Sequence, residues 1–92
     1  MERDAGDRPD RLVLYVRTGC HLCSEARLVL AEVTAELGTG WCEVDIDQHE
    51  DAERLAELYG ELVPVVTVDG VQQGYWRIDA DRLRRVLAGR RA

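Results

Sequence analysis

Two cysteines in Thr18-Gly19-Cys20-His21-Leu22-Cys23 stand where an apolar run hands over to a helical pattern, and this junction constrains the fold more than any other stretch. The run before it, Leu12-Val13-Leu14-Tyr15-Val16, is almost continuously apolar, as a central strand covered on both faces requires. After it, Leu22, Ala26, Val29, Leu30, Val33 and Leu37 recur at three- and four-residue steps, while Glu25, Arg27, Glu32 and Glu36 face away. This predicts an amphipathic helix from Leu22 to Leu37, with Thr18 as a cap and Gly38 as the stop. Cys20 is then placed at the exposed N-terminal end and Cys23 one turn further in. Unpaired N–H groups and the positive end of the helix dipole there favour a thiolate over a thiol. Cys20 is therefore the candidate nucleophile for a disulfide, and Cys23 the thiol that resolves the mixed disulfide.

The 92 residues suffice for one small domain, and the balance of apolar and charged residues is that of a globular chain. A formal charge of −6 argues against nucleic acid and against an anionic membrane as partners. All twelve basic residues are arginine. Residues 1–10 are charged and aperiodic and lack the apolar stretch of a signal peptide, so they read as a flexible leader to a domain over residues 11–92. Three cysteines, two of them close together, do not make the disulfide framework of a small secreted domain. The expectation is a cytoplasmic monomer that uses its thiols for redox or metal chemistry.

Further along, Trp41-Cys42-Glu43-Val44-Asp45-Ile46 alternates with period two, so Cys42, Val44 and Ile46 share one face of an outer strand. Asp47 with Glu50 reads as a capping box for a short helix carrying Ala52, Leu55, Ala56 and Tyr59 on one side and ending at Gly60. Leu62 to Val68 is a β-branched run with Pro64 near its start. Asp69-Gly70 is a hairpin signal leading into a strand from Val71 to Arg77, in which Gly74 marks a bulge. Asp79 caps a last helix whose Leu83, Val86 and Leu87 face inward. One crossover and one hairpin in the order βαβαββα give an α/β domain, a four-stranded mixed sheet flanked by three helices.

That order, with Cys-X-X-Cys opening the first helix and Val63-Pro64 opening the third strand, resembles the glutaredoxin branch of the thioredoxin fold, over roughly residues 11 to 89. The chain looks most like the short bacterial glutaredoxin-like proteins. The resemblance implies a thiol-disulfide oxidoreductase whose partners are disulfide-containing proteins or small thiols and disulfides, with a reductase to return electrons. It implies a cis Pro64 beside the reactive sulfur, a Val63 backbone that pairs with substrate, and Arg17 in the place of a lysine that helps bind glutathione. No resident cofactor is implied; glutathione would be a co-substrate. The paired glycines that hold the other end of glutathione are replaced by Tyr75-Trp76-Arg77-Ile78-Asp79, so one anchor is missing. Thioredoxins carry Trp and a buried Asp where this chain has Gly19 and Leu14.

Other readings compete at several residues. Cys20 and Cys23 could be half of a metal site completed by His21, Cys42 or His49, although no second closely spaced ligand pair stands ready and the expected metal set is none. A redox-inert interaction domain of the same fold is the third reading. His21 is either a cation that lowers the thiol pKa of Cys20 or a solvent-facing side chain. Arg17 is either an anion contact near the sulfur or a charged strand end. Tyr75 and Trp76 either line a partner groove or pack, and Cys42 reads as a small buried hydrophobe.

Overall fold

A computed structural model describes residues 11–91, the side chains of residues 89–91 excepted, so the leader expected at residues 1–10 lies outside the described residues. The elements are β1 (Leu12–Val16), α1 (Leu22–Leu37), β2 (Cys42–Asp45), α2 (Ala52–Tyr59), β3 (Val65–Val68), β4 (Val71–Tyr75) and α3 (Ala80–Arg91). They form one sheet in the order β2-β1-β3-β4. β1 runs parallel to β2 and antiparallel to β3, and β3 is antiparallel to β4. This is the expected thioredoxin-like arrangement of four strands and three helices.

The alternation of β1 divides the core into two layers. Leu12, Leu14 and Val16 meet Val66 and Val68 of β3, Ala26, Leu30 and Val33 of α1, and Leu83 and Leu87 of α3. Burying each such aliphatic side chain stabilises the fold by about 1.5–3 kcal/mol relative to exposing it. The other face carries Val13 and Tyr15, whose ring stacks on Tyr59 of α2 with centroids 4.7 Å apart. The parallel register sets Cys42 beside Val13 and Val44 beside Tyr15 on that same face. No residue of α2 is fully buried, so this layer is the thinner one.

Local chemistry explains most of the element ends. Gly38 takes a left-handed φ of 69° and donates its N–H to the Thr34 carbonyl, closing α1. Asp69 and Gly70 both have positive φ, 53° and 83°, the pair required by a type I′ hairpin between β3 and β4. Val66 pairs with Gly74 but Thr67 with Gln72, which leaves Gln73 as the extra residue of a bulge beside the glycine. Asp79 Oδ1 accepts the Asp81 and Arg82 N–H groups at 2.9 and 3.2 Å, capping α3.

Three expectations are corrected. Thr18 does not cap α1: the residue before the helix is His21, already helical in backbone and making no side-chain cap bond, while the Thr18 hydroxyl turns toward Asp45 at 3.4 Å. A turn through Gly19 separates Thr18 from the helix and moves it out of reach. Asp47 and Glu50 do not form a capping box, because Asp47 is held by Arg17 and α2 starts later, after Asp51. The last two strands are shorter than expected, β3 starting at Val65 and β4 stopping at Tyr75, since the next residue, Trp76, has a φ of 62° that a strand cannot continue.

Candidate active site

The chain leaves β1 through a turn in which Cys20 N–H donates to the Arg17 carbonyl at 3.3 Å, with Gly19 at φ 82°. A turn with positive φ at its third position is type II, and glycine adopts that conformation without strain. A Cβ at Gly19 would meet nothing within 4 Å, so the demand comes from the backbone and not from space. It accounts for the departure from the thioredoxin pattern: a Trp at 19 would be forced into the left-handed region.

The turn delivers Cys20, half-buried, to the head of α1, where it is joined by a disulfide to Cys23, 1% exposed and the second residue of the helix. Their Cα atoms lie 5.5 Å apart. Cys20 lines an open groove of about 530 Å³ together with Arg17, His21, Leu22, Asp47 and Val63. One sulfur can thus meet a partner, whereas the other lies in the core beneath it. The helix N-terminus stabilises negative charge at this position.

The Val63–Pro64 peptide bond is cis. Pro64 is buried, and Val63 faces the groove. The loop is held from β4: Trp76 N–H is shared between the carbonyls of Pro64 at 2.9 Å and Leu62 at 3.2 Å, and the indole Nε1–H donates to the Glu61 carbonyl at 3.1 Å. The carbonyls on either side of Val63 are therefore occupied. Among the described residues, no group pairs with the Val63 N–H or carbonyl.

Arg17 spends its guanidinium within the protein. Nε and Nη2 donate to the two carboxylate oxygens of Asp47 at 3.1 and 2.8 Å, and Nη1 points to the Gly60 carbonyl at 3.4 Å. Hydrogen bonds from Arg17 lower the Asp47 pKa, and the same bonds raise that of Arg17. A side chain at Gly60 would put its Cβ 3.0 Å from Arg17 Nη1 and 2.5 Å from the Ala56 carbonyl, so the small residue there admits the guanidinium.

Of the residues singled out in the sequence, Arg17, Cys20, His21 and Val63 share the groove, and Cys23 and Pro64 are buried beside it. His21 is exposed at the rim. Cys42 is a free, half-buried thiol on the α2 face, whereas Cys20 packs against the α1 and α3 core, so the two lie on opposite layers. Among the described residues, no three His, Cys, Asp or Glu side chains come together as a ligand set. Tyr75 and Trp76 do not line the Cys20 groove. The sequence reading takes Asp47 as a cap and Leu22 as an apolar helix residue and assigns neither to the groove, and it misses the staple from Trp76; the position of Leu22 between the cysteines is the one signal of its role.

Fold and site together define a thioredoxin-fold protein with a cysteine pair at the head of its first helix. Residues 11–88 match the model of the family described as Glutaredoxin-like domain (DUF836), and the chain belongs to that family. An uncharacterised protein of Mycobacterium tuberculosis is 35% identical over 77 residues, which is 82% of this chain and 79% of the relative. The X-ray structure of protein XcR50 from X. campestris superposes with a TM-score of 0.67 at 39% identity, covering 85% of this chain and 96% of that one. The solution structure of protein Ne2328 from Nitrosomonas europaea does so with a TM-score of 0.71 at 28% identity, covering 94% and 98%. Family, fold and cysteine pair support a redox-type role. No helix among the described residues is long and apolar enough to cross a membrane.

Proposed function

We propose that this protein is a thiol-disulfide oxidoreductase that passes two electrons through Cys20 and Cys23. The observation that carries the reading is the asymmetry of the pair: one half-buried cysteine lining an open groove at a helix N-terminus, bonded to a second in the core. In the reduced protein the Cys20 thiolate attacks a substrate disulfide, forming a mixed disulfide and releasing one substrate sulfur as a thiolate that takes up a proton. Cys23, losing its proton, then attacks the Cys20 sulfur, forming the internal disulfide and releasing the second substrate thiol. The substrate is reduced by two electrons and the dithiol is oxidised by two. An external dithiol or a reductase returns the protein to its starting state.

Val63 supports the recognition half of this reading, since the residue lines the groove and, among the described residues, its backbone groups are unpaired and so available to an extended substrate segment. Disulfide-bearing proteins and small disulfides are the proposed partners. A protonated His21, at the groove rim, would favour the Cys20 thiolate electrostatically. Glutathione is proposed as a poor co-substrate, because the glycine pair of glutaredoxins is absent. A reducing compartment such as the cytoplasm suits a pair that must be reset by thiols.

The test is disulfide reduction driven by dithiothreitol or a thioredoxin reductase. Turnover is expected from the wild type, none from Cys20→Ser, and trapped mixed disulfide from Cys23→Ser. Wild-type turnover no faster than that of Cys20→Ser would refute the assignment.

A further inference from the structure

Resting on the redox reading above, we infer that Asp47 sets the charge preference of the Cys20 groove, turning it from small anionic disulfides toward neutral and cationic ones. Among the described residues, Arg17 is the one permanently cationic side chain that lines the groove. Asp47 lines it too, and its carboxylate takes two of the guanidinium's N–H groups at 3.1 and 2.8 Å. A third N–H is directed to Gly60, 3.4 Å away. Asp45 adds a second carboxylate: its Oδ1 accepts the Asp47 N–H at 3.0 Å, and it acts electrostatically on Arg17. One cation therefore faces two anions, in a chain whose formal charge is −6.

An incoming carboxylate would have to displace Asp47 from a two-point hydrogen bond and then sit beside the charge it displaced. A basic group entering the groove meets the Asp47 carboxylate, with the charge of Asp45 behind it, and need displace no anion. The ion pair is half-exposed, with side chains 37% and 38% accessible, so its own strength is modest. Its effect on selectivity comes from sign and position, because Asp47 lines the same groove as Cys20.

Three disulfides with similar reacting bonds serve as probes: oxidised glutathione (anionic), bis(2-hydroxyethyl) disulfide (neutral) and cystamine (cationic). The fully reduced protein is mixed with each, and its oxidation to the Cys20–Cys23 disulfide is followed by quenched-sample mass spectrometry. Rates are referred to those of free dithiothreitol, which removes intrinsic differences between the probes. The wild type is expected to favour cystamine over oxidised glutathione, with the preference shrinking at high salt. Asp47→Asn should lower the cystamine-to-glutathione rate ratio by roughly tenfold, and Arg17→Ala should raise it. Loosening of the fold would scale all three rates and could not move the ratio in opposite directions in the two variants. Fast oxidation of the wild type with a ratio that Asp47→Asn leaves within about twofold would overturn this inference alone. No oxidation by any of the three probes would instead overturn the redox reading beneath it.

Discussion

The backbone N–H of Trp76 donates to the Pro64 carbonyl at 2.9 Å, tying the end of β4 to the loop that faces Cys20. The residue reaches that carbonyl with a φ of 62°, a conformation that costs a bulky side chain about 1–2 kcal/mol. Its indole offsets part of that cost through the bond to the Glu61 carbonyl and an edge-on contact with Tyr75 at 5.3 Å. Ala at 76 would keep the strain and lose the indole, whereas Gly would lose the indole and relieve the strain. Trp76→Gly is therefore expected to be more stable than Trp76→Ala by about 1 kcal/mol in urea unfolding. Equal stabilities, or a more stable Ala variant, would contradict the left-handed backbone at this position.

Leu28 and Leu30 lie two residues apart on α1 with opposite fates, 71% and 0% exposed. Leu30→Ala should cost about 2–5 kcal/mol, because it leaves a cavity under β1 and α3. Leu28→Ala should change stability by less than about 0.5 kcal/mol. Comparable losses at the two sites would show that the helix presents a different face to the sheet.

The Arg17–Asp47 pair has a counterpart between α1 and α3, where Arg84 binds Glu36 at 2.8 Å. Hydrogen bonds from these arginines lower the pKa of Asp47 and of Glu36. A carboxylate with a lowered folded pKa binds fewer protons in the native than in the unfolded state, so its stabilisation is complete above the unfolded pKa. That contribution is lost as pH falls through the folded value. Between about pH 5 and pH 3 the urea midpoint of the wild type should fall more steeply than that of an Asp47→Asn, Glu36→Gln variant. Parallel profiles would mean that neither pair is populated in solution.

Much of the architecture was legible because it rests on local chemistry. The period of α1, the Asp69-Gly70 turn and the Asp79 cap depend on neighbours a few residues away, and each was recovered. The two cysteines were legible for the same reason, being set by one turn and one helix start. The Asp47 carboxylate was misread as a cap because its true partner is 30 residues distant, and a charge-assisted bond to arginine prevails over a local turn bond. Trp76 was misread as a strand residue, since nothing local signals a left-handed tryptophan; its backbone and indole partners lie 12 to 15 residues back in the chain, on the Pro64 loop. Thr18 failed as a cap because Gly19 reverses the chain between it and the helix.

Competitive alkylation of the reduced protein tests the central claim most directly, because it asks the three thiols which of them is the nucleophile. Cys20 lines the groove at the head of α1, Cys23 is buried, and Cys42 lies half-buried on the opposite layer. With limiting iodoacetamide across a range of pH, and the modified residue identified by peptide mass, Cys20 should react first. Its rate should titrate with a pKa below the free-cysteine value of about 8.5. Faster modification of Cys23 or Cys42, or a Cys20 pKa at or above that value, would contradict the assignment of Cys20 as the attacking thiol.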